Sequence, residues 1–137
     1  MTILLTIHSL VRWVITLVAI ALIVRLVVGL VRKQAFDKLA RILTASFSGL
    51  MDTQALLGLL FLLVSGFGGI GFPRYRLEHV AAMVVALIVA HLPALWKKAP
   101  DNIRTRNTLI AVVVSLLIIF LGIIPIGGWT RWWHITF

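Results

Sequence analysis

The sequence predicts an all-α integral membrane protein, a four-helix up-down-up-down bundle that forms one transmembrane domain over residues 1–137. Two observations lead to this fold class. The 137-residue chain is 61% hydrophobic and only 12% charged, whereas a soluble domain is about 45–50% apolar and about 25% charged. Four apolar runs, each long enough to cross a bilayer with about 20 residues, also fill nearly the whole chain. Little sequence is left over for a soluble domain.

The first predicted helix covers residues 3–31, where the apolar run is interrupted by His8, Arg12 and Arg25. The run is longer than the apolar part of a signal peptide and no basic segment precedes it, so we expect a retained span. His8, Arg12 and Thr16 recur every four residues and therefore share one face of this helix. Arg25 is expected to extend its charged end from a buried stem toward the nearer membrane surface.

The second and third predicted helices, residues 42–66 and 77–96, carry further ionisable side chains. Asp52 lies in the second helix, while His79 opens the third and His91 lies near its end. The separation between the two histidines corresponds to a rise of about 18 Å, so we expect them near opposite membrane surfaces. Because ionisable groups are costly in a bilayer and usually face the bundle interior or water, these residues are candidates for function.

The fourth predicted helix covers residues 107–128 and contains an uncharged run from Leu109 to Gly128. The Gly- and Pro-rich segment 66–73, between the second and third helices, lacks the strand and the lysine of a phosphate-binding loop, so we expect a flexible connection. Aromatic residues near the chain end suit an outer membrane interface, and one tryptophan suits the inner interface. The outer set is Trp129, Trp132, Trp133 and His134, and the inner residue is Trp96.

Basic residues in the loops predict the orientation of the bundle. Loops 1 and 3 hold Arg32, Lys33, Lys38, Arg41, Lys97, Lys98, Arg104 and Arg106, whereas loop 2 and the C-terminal tail hold Arg74, Arg76 and Arg131. Cytoplasmic loops carry the basic excess, so loops 1 and 3 are expected in the cytoplasm and both termini outside. The net charge of +9 is then mostly a topology signal, and the lipid bilayer rather than a nucleic acid is the expected partner.

Two histidines at similar depth on different helices suggest a bound cofactor. His8 and His79 both fall in the outer half of the predicted bundle, and neutral imidazoles are good axial ligands for haem iron. The chain has no cysteine, which excludes a covalently attached c-type haem, whereas haem b needs no cysteine. The sequence therefore predicts haem b between His8 and His79, with Arg12 and either Arg74 or Arg76 near its propionates.

Asp52 and His91 are expected to form a second polar pair, in the inner half of the bundle. This pair suits a hydrogen bond to a quinone, a proton relay or a hard metal ion. Three hypotheses for function follow. The first is a haem-b electron-transfer protein that exchanges electrons with quinone or a partner redox subunit. The second is a non-redox accessory subunit of a larger complex, in which Arg12 pairs with Glu78. The third is a small proton or cation transporter that uses Asp52 and His91 in a homo-oligomer.

Five segments carry a family resemblance: His8-Ser9-x-x-Arg12-Trp13, Gln54-Ala55-Leu56-Leu57-Gly58-Leu59, Glu78-His79 with Met83, His91, and Gly122-Ile123-Ile124-Pro125. Over nearly the whole chain they resemble small bacterial four-helix membrane proteins that are labelled cytochrome b-like. The resemblance implies a bacterial inner membrane location and haem binding. In that group the position of Asp52 tends to be histidine, which would give two haems, one in each leaflet. With Asp52 in this chain, the resemblance implies the outer haem alone.

Overall fold

The computed structural model describes residues 2–133 except for the Arg131 side chain, and the predicted interfacial position of His134 lies outside these residues. The described part is all-helical and contains no strand. Four of its helices are long and apolar enough to cross a membrane, in agreement with the predicted fold class. The elements in chain order are α1 (Thr2–Val31), α2 (Lys38–Ser65), a π-helical turn (Gly66–Ile70), α3 (Arg74–His91), a 3-10 turn (Leu92–Trp96), α4 (Asp101–Gly122), a second 3-10 turn (Ile124–Ile126) and α5 (Gly128–Trp133).

Helices α2, α3 and α4 each begin before the apolar run that predicted them, because polar residues form their first turns. α2 begins at Lys38 since the side chain of Asp37 caps it, accepting a hydrogen bond from the N–H of Ala40 at 2.9 Å. α3 and α4 begin directly after Pro73 and Pro100. A proline suits the start of a helix because its missing N–H would have no partner there.

Three helix ends also differ from the predicted ones. The segment 66–73 is not wholly irregular, because residues 66–70 continue α2 as a π-helical turn that the N–H of Gly71 closes on the carbonyl of Gly66. α3 changes to a 3-10 turn at its end, where Pro93 interrupts the α-helical bonds. α4 ends at Gly122 rather than at residue 128, because Pro125 follows and forms part of the next 3-10 turn.

The four long helices pack as a bundle in which α1 and α3 lie on opposite sides. The main contacts are α1 with α2, α2 with α3, α3 with α4, and α1 with α4. Leu22, Phe47 and Val112 are fully buried between the helices, whereas Leu17 and Ile88 on the outer surface are more than half exposed. An apolar interior together with an apolar exterior is expected of helices that face lipid.

Helices α3 and α4 pack closely, with small residues at their contact. A Cβ atom built on Gly122 would lie only 2.7 Å from the Cβ of Ala82 and 2.5 Å from the Cε of Met83. About two turns earlier in α4, the buried hydroxyl of Ser115 donates a hydrogen bond to the carbonyl of Ala86 in α3 at 2.9 Å. Small residues and interhelical hydrogen bonds are the usual means of helix association in membranes.

Trp132 is buried, and the expectation that it forms part of an interfacial belt was wrong. Its ring packs against Trp13, at 6.4 Å between centroids, and against Phe120, at 5.2 Å. It is 7% exposed, compared with 60% for Trp129 and 66% for Trp133. Helix α5 therefore uses one tryptophan to close the end of the core and leaves two that are able to meet a membrane interface.

Arg25 extends toward the loop that follows α1, as its sequence context predicts. Its side chain is 12% exposed, and its guanidinium lies 3.0 Å from a carboxylate oxygen of Asp37 and donates to the carbonyl of Ala35. Gly29 makes room for this path, since a Cβ there would lie 2.8 Å from a guanidinium nitrogen. The hydrogen bond from the N–H of Ala40 is the larger cause that lowers the pKa of Asp37 below its ordinary value, and the hydrogen bond from Arg25 is the second.

Candidate functional site

A central cavity of 740 Å³ lies between the four long helices. Its volume falls within the range of about 300–1,000 Å³ that is usual for small-molecule and cofactor sites. Most of its lining is apolar, and its polar lining includes the ionisable or amide side chains of His8, Arg12, Gln54, Arg76 and His79. The two histidines predicted as haem ligands therefore share one cavity, which they reach from α1 and α3 on opposite sides of the bundle.

His79 is held by the end of α4. Its Nδ1 lies 2.8 Å from the carbonyl oxygen of Gly122, and because a carbonyl only accepts, Nδ1 carries the proton in this bond. In the neutral ring Nε2 then has a lone pair, and no hydrogen bond within the described residues occupies it. A histidine that ligates a metal commonly has its other nitrogen bonded to a backbone carbonyl in this way.

The carbonyl of Gly122 is available to His79 because the following backbone cannot use it. Within a continuing helix the N–H groups three and four residues later would donate to it. Pro125 has no N–H, and the N–H of Ile126 donates to the carbonyl of Ile123 instead. The proline that ends α4 therefore also orients the histidine.

His8 is held by Gln54 of α2. The side-chain nitrogen of Gln54 donates to the backbone carbonyl of His8 at 3.0 Å and lies 3.2 Å from its Nε2. Because an amide nitrogen only donates, Nε2 of His8 accepts and Nδ1 carries the proton. Gly58, one turn further along α2, leaves space for the ring, since a Cβ there would lie 3.2 Å from Cε1 of His8.

Two polar atoms in this contact are buried without a hydrogen-bond partner among the described residues. They are Nδ1 of His8 and Oε1 of Gln54. Buried polar groups are nearly always satisfied in folded proteins. The polar wall of the cavity near His8 is thus incompletely satisfied within residues 2–133.

Two arginines reach the cavity. Arg12 places its guanidinium 5.2 Å from the centre of the Trp132 ring. Arg76 donates a hydrogen bond to the hydroxyl of Ser65 at 2.7 Å and lies 5.5 Å from the centre of the Phe61 ring. Both guanidinium groups therefore lie beside aromatic rings that border the cavity.

Arg74 does not reach the cavity, although the sequence allowed it a place beside Arg76. Its side chain is 92% exposed and forms an ion pair with Glu78, four residues later on the same helix, at 2.7 Å. The Arg12–Glu78 pair expected for an accessory subunit is thus not among the ion pairs of the described residues. The i, i+4 spacing on one helix favours the pair that is formed.

Asp52 and His91 form the predicted pair, with 2.8 Å between Oδ1 and Nε2. Neither residue lines the central cavity. Their side chains are 55% and 48% exposed, so the pair lies on the outer surface between α2 and α3 rather than in the bundle interior. Within residues 2–133 no group of three His, Asp or Glu side chains is arranged to hold a metal ion.

Sequence reasoning named Gln54, Gly58 and Gly122 only as parts of the family resemblance and missed their role in positioning the histidines. A usable signal existed for two of them, because Gln54 and Gly58 are four residues apart and so share the face of α2 that meets His8.

No family model, curated protein or solved structure matches the chain.

Proposed function

We propose that the chain binds one haem b in the central cavity and carries electrons within the membrane. The observation that carries the proposal is that His8 and His79, from opposite sides of the bundle, line the same largely apolar cavity. Four-helix bundles commonly hold cofactors between side chains of facing helices. Haem b would supply a one-electron redox centre there.

The residues of the cavity fit this group, with one local rearrangement. His79 is suited to ligation as it stands, because its Nε2 carries the free lone pair. His8 must first release Nε2 from Gln54. The exchange gives up one contact, and the Gln54 amide keeps its hydrogen bond to the backbone carbonyl of His8.

The remaining residues of the cavity have separate roles in this proposal. Arg12 and Arg76 would hold the two anionic propionates by charge-assisted hydrogen bonds. The apolar walls, which include Ile15, Leu116 and Ile119, exclude water and lower the local dielectric. An apolar surrounding is one of the means by which a protein sets the potential of a haem.

Quinone is the electron partner that we favour, with a redox subunit as the alternative source or sink. Asp52 and His91 support quinone binding because they form a hydrogen-bonded pair that is exposed on the exterior surface of the bundle. A lipid-soluble ring could reach this pair from the bilayer. A carboxylate and an imidazole in contact can exchange a proton with a quinone carbonyl oxygen as its charge changes.

The proposal also includes the location and the orientation of the protein. The chain lies in a bacterial inner membrane as an up-down-up-down bundle, with loops 1 and 3 in the cytoplasm and both termini outside. Contacts between early and late parts of successive helices support the alternation. His8 near the start of α1 meets Gly58 in the second half of α2, and His79 near the start of α3 meets Gly122 at the end of α4. The excess of basic residues in loops 1 and 3 supports the orientation.

The test is a reduced-minus-oxidised absorption spectrum of the purified protein after expression with sufficient haem. We expect a b-type band and one haem per chain. His79→Ala should remove the band, and His91→Ala should keep it, because His91 lies outside the cavity. A haem-replete preparation with no band overturns the proposal, as does loss of the band in His91→Ala with its retention in His79→Ala.

The exposed Asp52–His91 pair also favours a second candidate, a non-redox accessory subunit. A polar pair at membrane depth is costly when it faces lipid, and contact with another subunit would cover it. In this case the protein, extracted gently, should migrate with larger partners and show no b-type band. Replacement of both Asp52 and His91 by Ala should release it from them.

A further inference from the structure

A second cavity, of 360 Å³, opens between α2, the end of α3 and the start of α4. It shares no residue with the central cavity and lies at the end of the bundle where loops 1 and 3 are found. Its polar lining consists of Arg41, Thr44, Ser48, His91, Lys97 and Arg104. We call this cavity the basic crevice.

Three basic side chains of the basic crevice have no acidic partner within the described residues. These residues include all four Asp and Glu of the chain, and their ion pairs involve Arg25, Arg74 and His91 as the basic members. Arg41, Lys97 and Arg104 are not among them. Like charges gathered in one concave site create a field that concentrates anions.

One cation of the basic crevice is held in position without a bound ligand. The guanidinium of Arg104 lies 4.0 Å from the centre of the Phe36 ring, and Phe36 is only 5% exposed, so a buried ring fixes the position of this charge. Thr44 and Ser48 do not compete as donors, because their hydroxyls donate to backbone carbonyls of α2. The groups that remain to bind an anion are thus the cations themselves.

Apolar surface adjoins the cations. Ile88 lies three residues before His91 and therefore on the same side of α3, and it is 59% exposed, while Leu95 in the following 3-10 turn is 74% exposed. A ligand that matches both features has an anionic head and a long apolar part. Free inorganic phosphate matches only the first.

We infer that the basic crevice binds the phosphate of one anionic phospholipid, whose acyl chains lie along Ile88 and Leu95. Basic pockets between transmembrane helices at the cytoplasmic surface are known to take lipid headgroups. The crevice lies near the ends of three helices that are long enough to cross a membrane, which is the depth of a headgroup. The inference stands apart from haem binding, because the two cavities share no residue. His91, which the quinone proposal uses, also lines the crevice and is left unchanged in the test below.

The test is a titration of the detergent-solubilised protein with phosphatidylglycerol, followed by native mass spectrometry. The variant is Arg41→Gln with Lys97→Gln, which leaves Arg104 stacked on Phe36. Each removed cation should weaken binding about fivefold, and the double variant about 25-fold. The matched control, Arg32→Gln with Lys98→Gln, removes the same charge from the same loops outside the crevice and should change binding less than about twofold.

Two further probes decide between sources of the anion. Phosphatidylcholine with the same acyl chains should bind at least about tenfold more weakly than phosphatidylglycerol, and inorganic phosphate should not displace the bound lipid. Equal binding of phosphatidylcholine, displacement by inorganic phosphate, or an equal loss in the control variant overturns the inference. If the double variant does not fold, Lys97→Gln alone carries the test, because Lys97 is exposed and forms no ion pair within the described residues.

Discussion

Nδ1 of His79 and the carbonyl oxygen of Gly122 are 2.8 Å apart, which ties the best-oriented ligand candidate to the end of a neighbouring helix. The bond exists because Pro125 ends α4 and leaves that carbonyl without a backbone donor. It is formed at a close contact between α3 and α4, beside Ala82 and Met83. Orientation of the imidazole therefore depends on how tightly these two helices pack.

Gly122→Ala should loosen this packing. The added Cβ would lie 2.5 Å from Met83 and 2.7 Å from Ala82, and an overpacked contact of this kind costs about 1–3 kcal/mol of unfolding free energy. Thermal unfolding in detergent should show a lower midpoint, and the haem content per chain should fall with it. Gly49→Ala is the control, because a Cβ there meets no atom of the described residues within 4 Å, and it should not destabilise the protein.

An unchanged midpoint and an unchanged haem content in Gly122→Ala would contradict the role given to this contact. A lower midpoint in both glycine variants would show instead that α-helical packing in general is sensitive to added methyl groups.

The sequence predicted the four spans because hydropathy alone determines which segments can lie in lipid. It misplaced their ends, since Asp37, Pro73 and Pro100 set helix starts through capping and proline geometry, and polar first turns lie outside any apolar window. Trp132 was placed at the interface for a similar reason. Its burial depends on the position of α5 over Trp13, which no local pattern contains.

The sequence predicted the two candidate ligands of the site, but not the groups that hold them in position. His8 and His79 were recognised because ionisable groups are rare in spans, and the Asp52–His91 contact followed from their similar depth. The hydrogen bond from Gln54 to His8 depends on side-chain rotamers and on the register of α1 against α2. Neither quantity can be obtained from the spacing of residues along one helix.

Gln54→Leu should distinguish haem binding from a purely structural polar contact. Leucine has nearly the same size and cannot occupy Nε2 of His8, so this nitrogen becomes free for ligation. We expect the b-type band per chain to be as strong as in the unchanged protein, or stronger, during titration with haem. Loss of the band in a folded variant, shown by an unchanged helical circular dichroism spectrum, would mean that the amide supports the site rather than competes for it.

Asp37→Asn should reduce the dependence of stability on pH in acid. The N–H of Ala40 and the guanidinium of Arg25 lower the pKa of Asp37 in the folded state. The stabilisation is therefore present above the ordinary pKa of about 3.9 and is lost as the pH falls through the lowered folded value. Asn keeps the helix cap but does not titrate, so the unfolding midpoint of the variant should fall less between about pH 5 and about pH 2. A fall in Asp37→Asn as steep as in the unchanged protein would contradict the assignment to Asp37.

Asp52 and His91 should contribute little to stability when the protein is isolated, although they are in contact. Both side chains are about half exposed, and interhelical hydrogen bonds in membrane proteins average about 0.6 kcal/mol in double-mutant cycles. A cycle of Asp52→Ala, His91→Ala and the double variant, measured by unfolding in detergent, should give a coupling free energy of about that size. Haem content should not change in any of the three, because neither residue lines the central cavity. Removal of one partner from a buried ion pair costs about 3 kcal/mol or more. A coupling free energy above about that size would mean that another chain shields Asp52 and His91 in the purified protein. This result would favour the accessory subunit over a pair that is accessible to quinone.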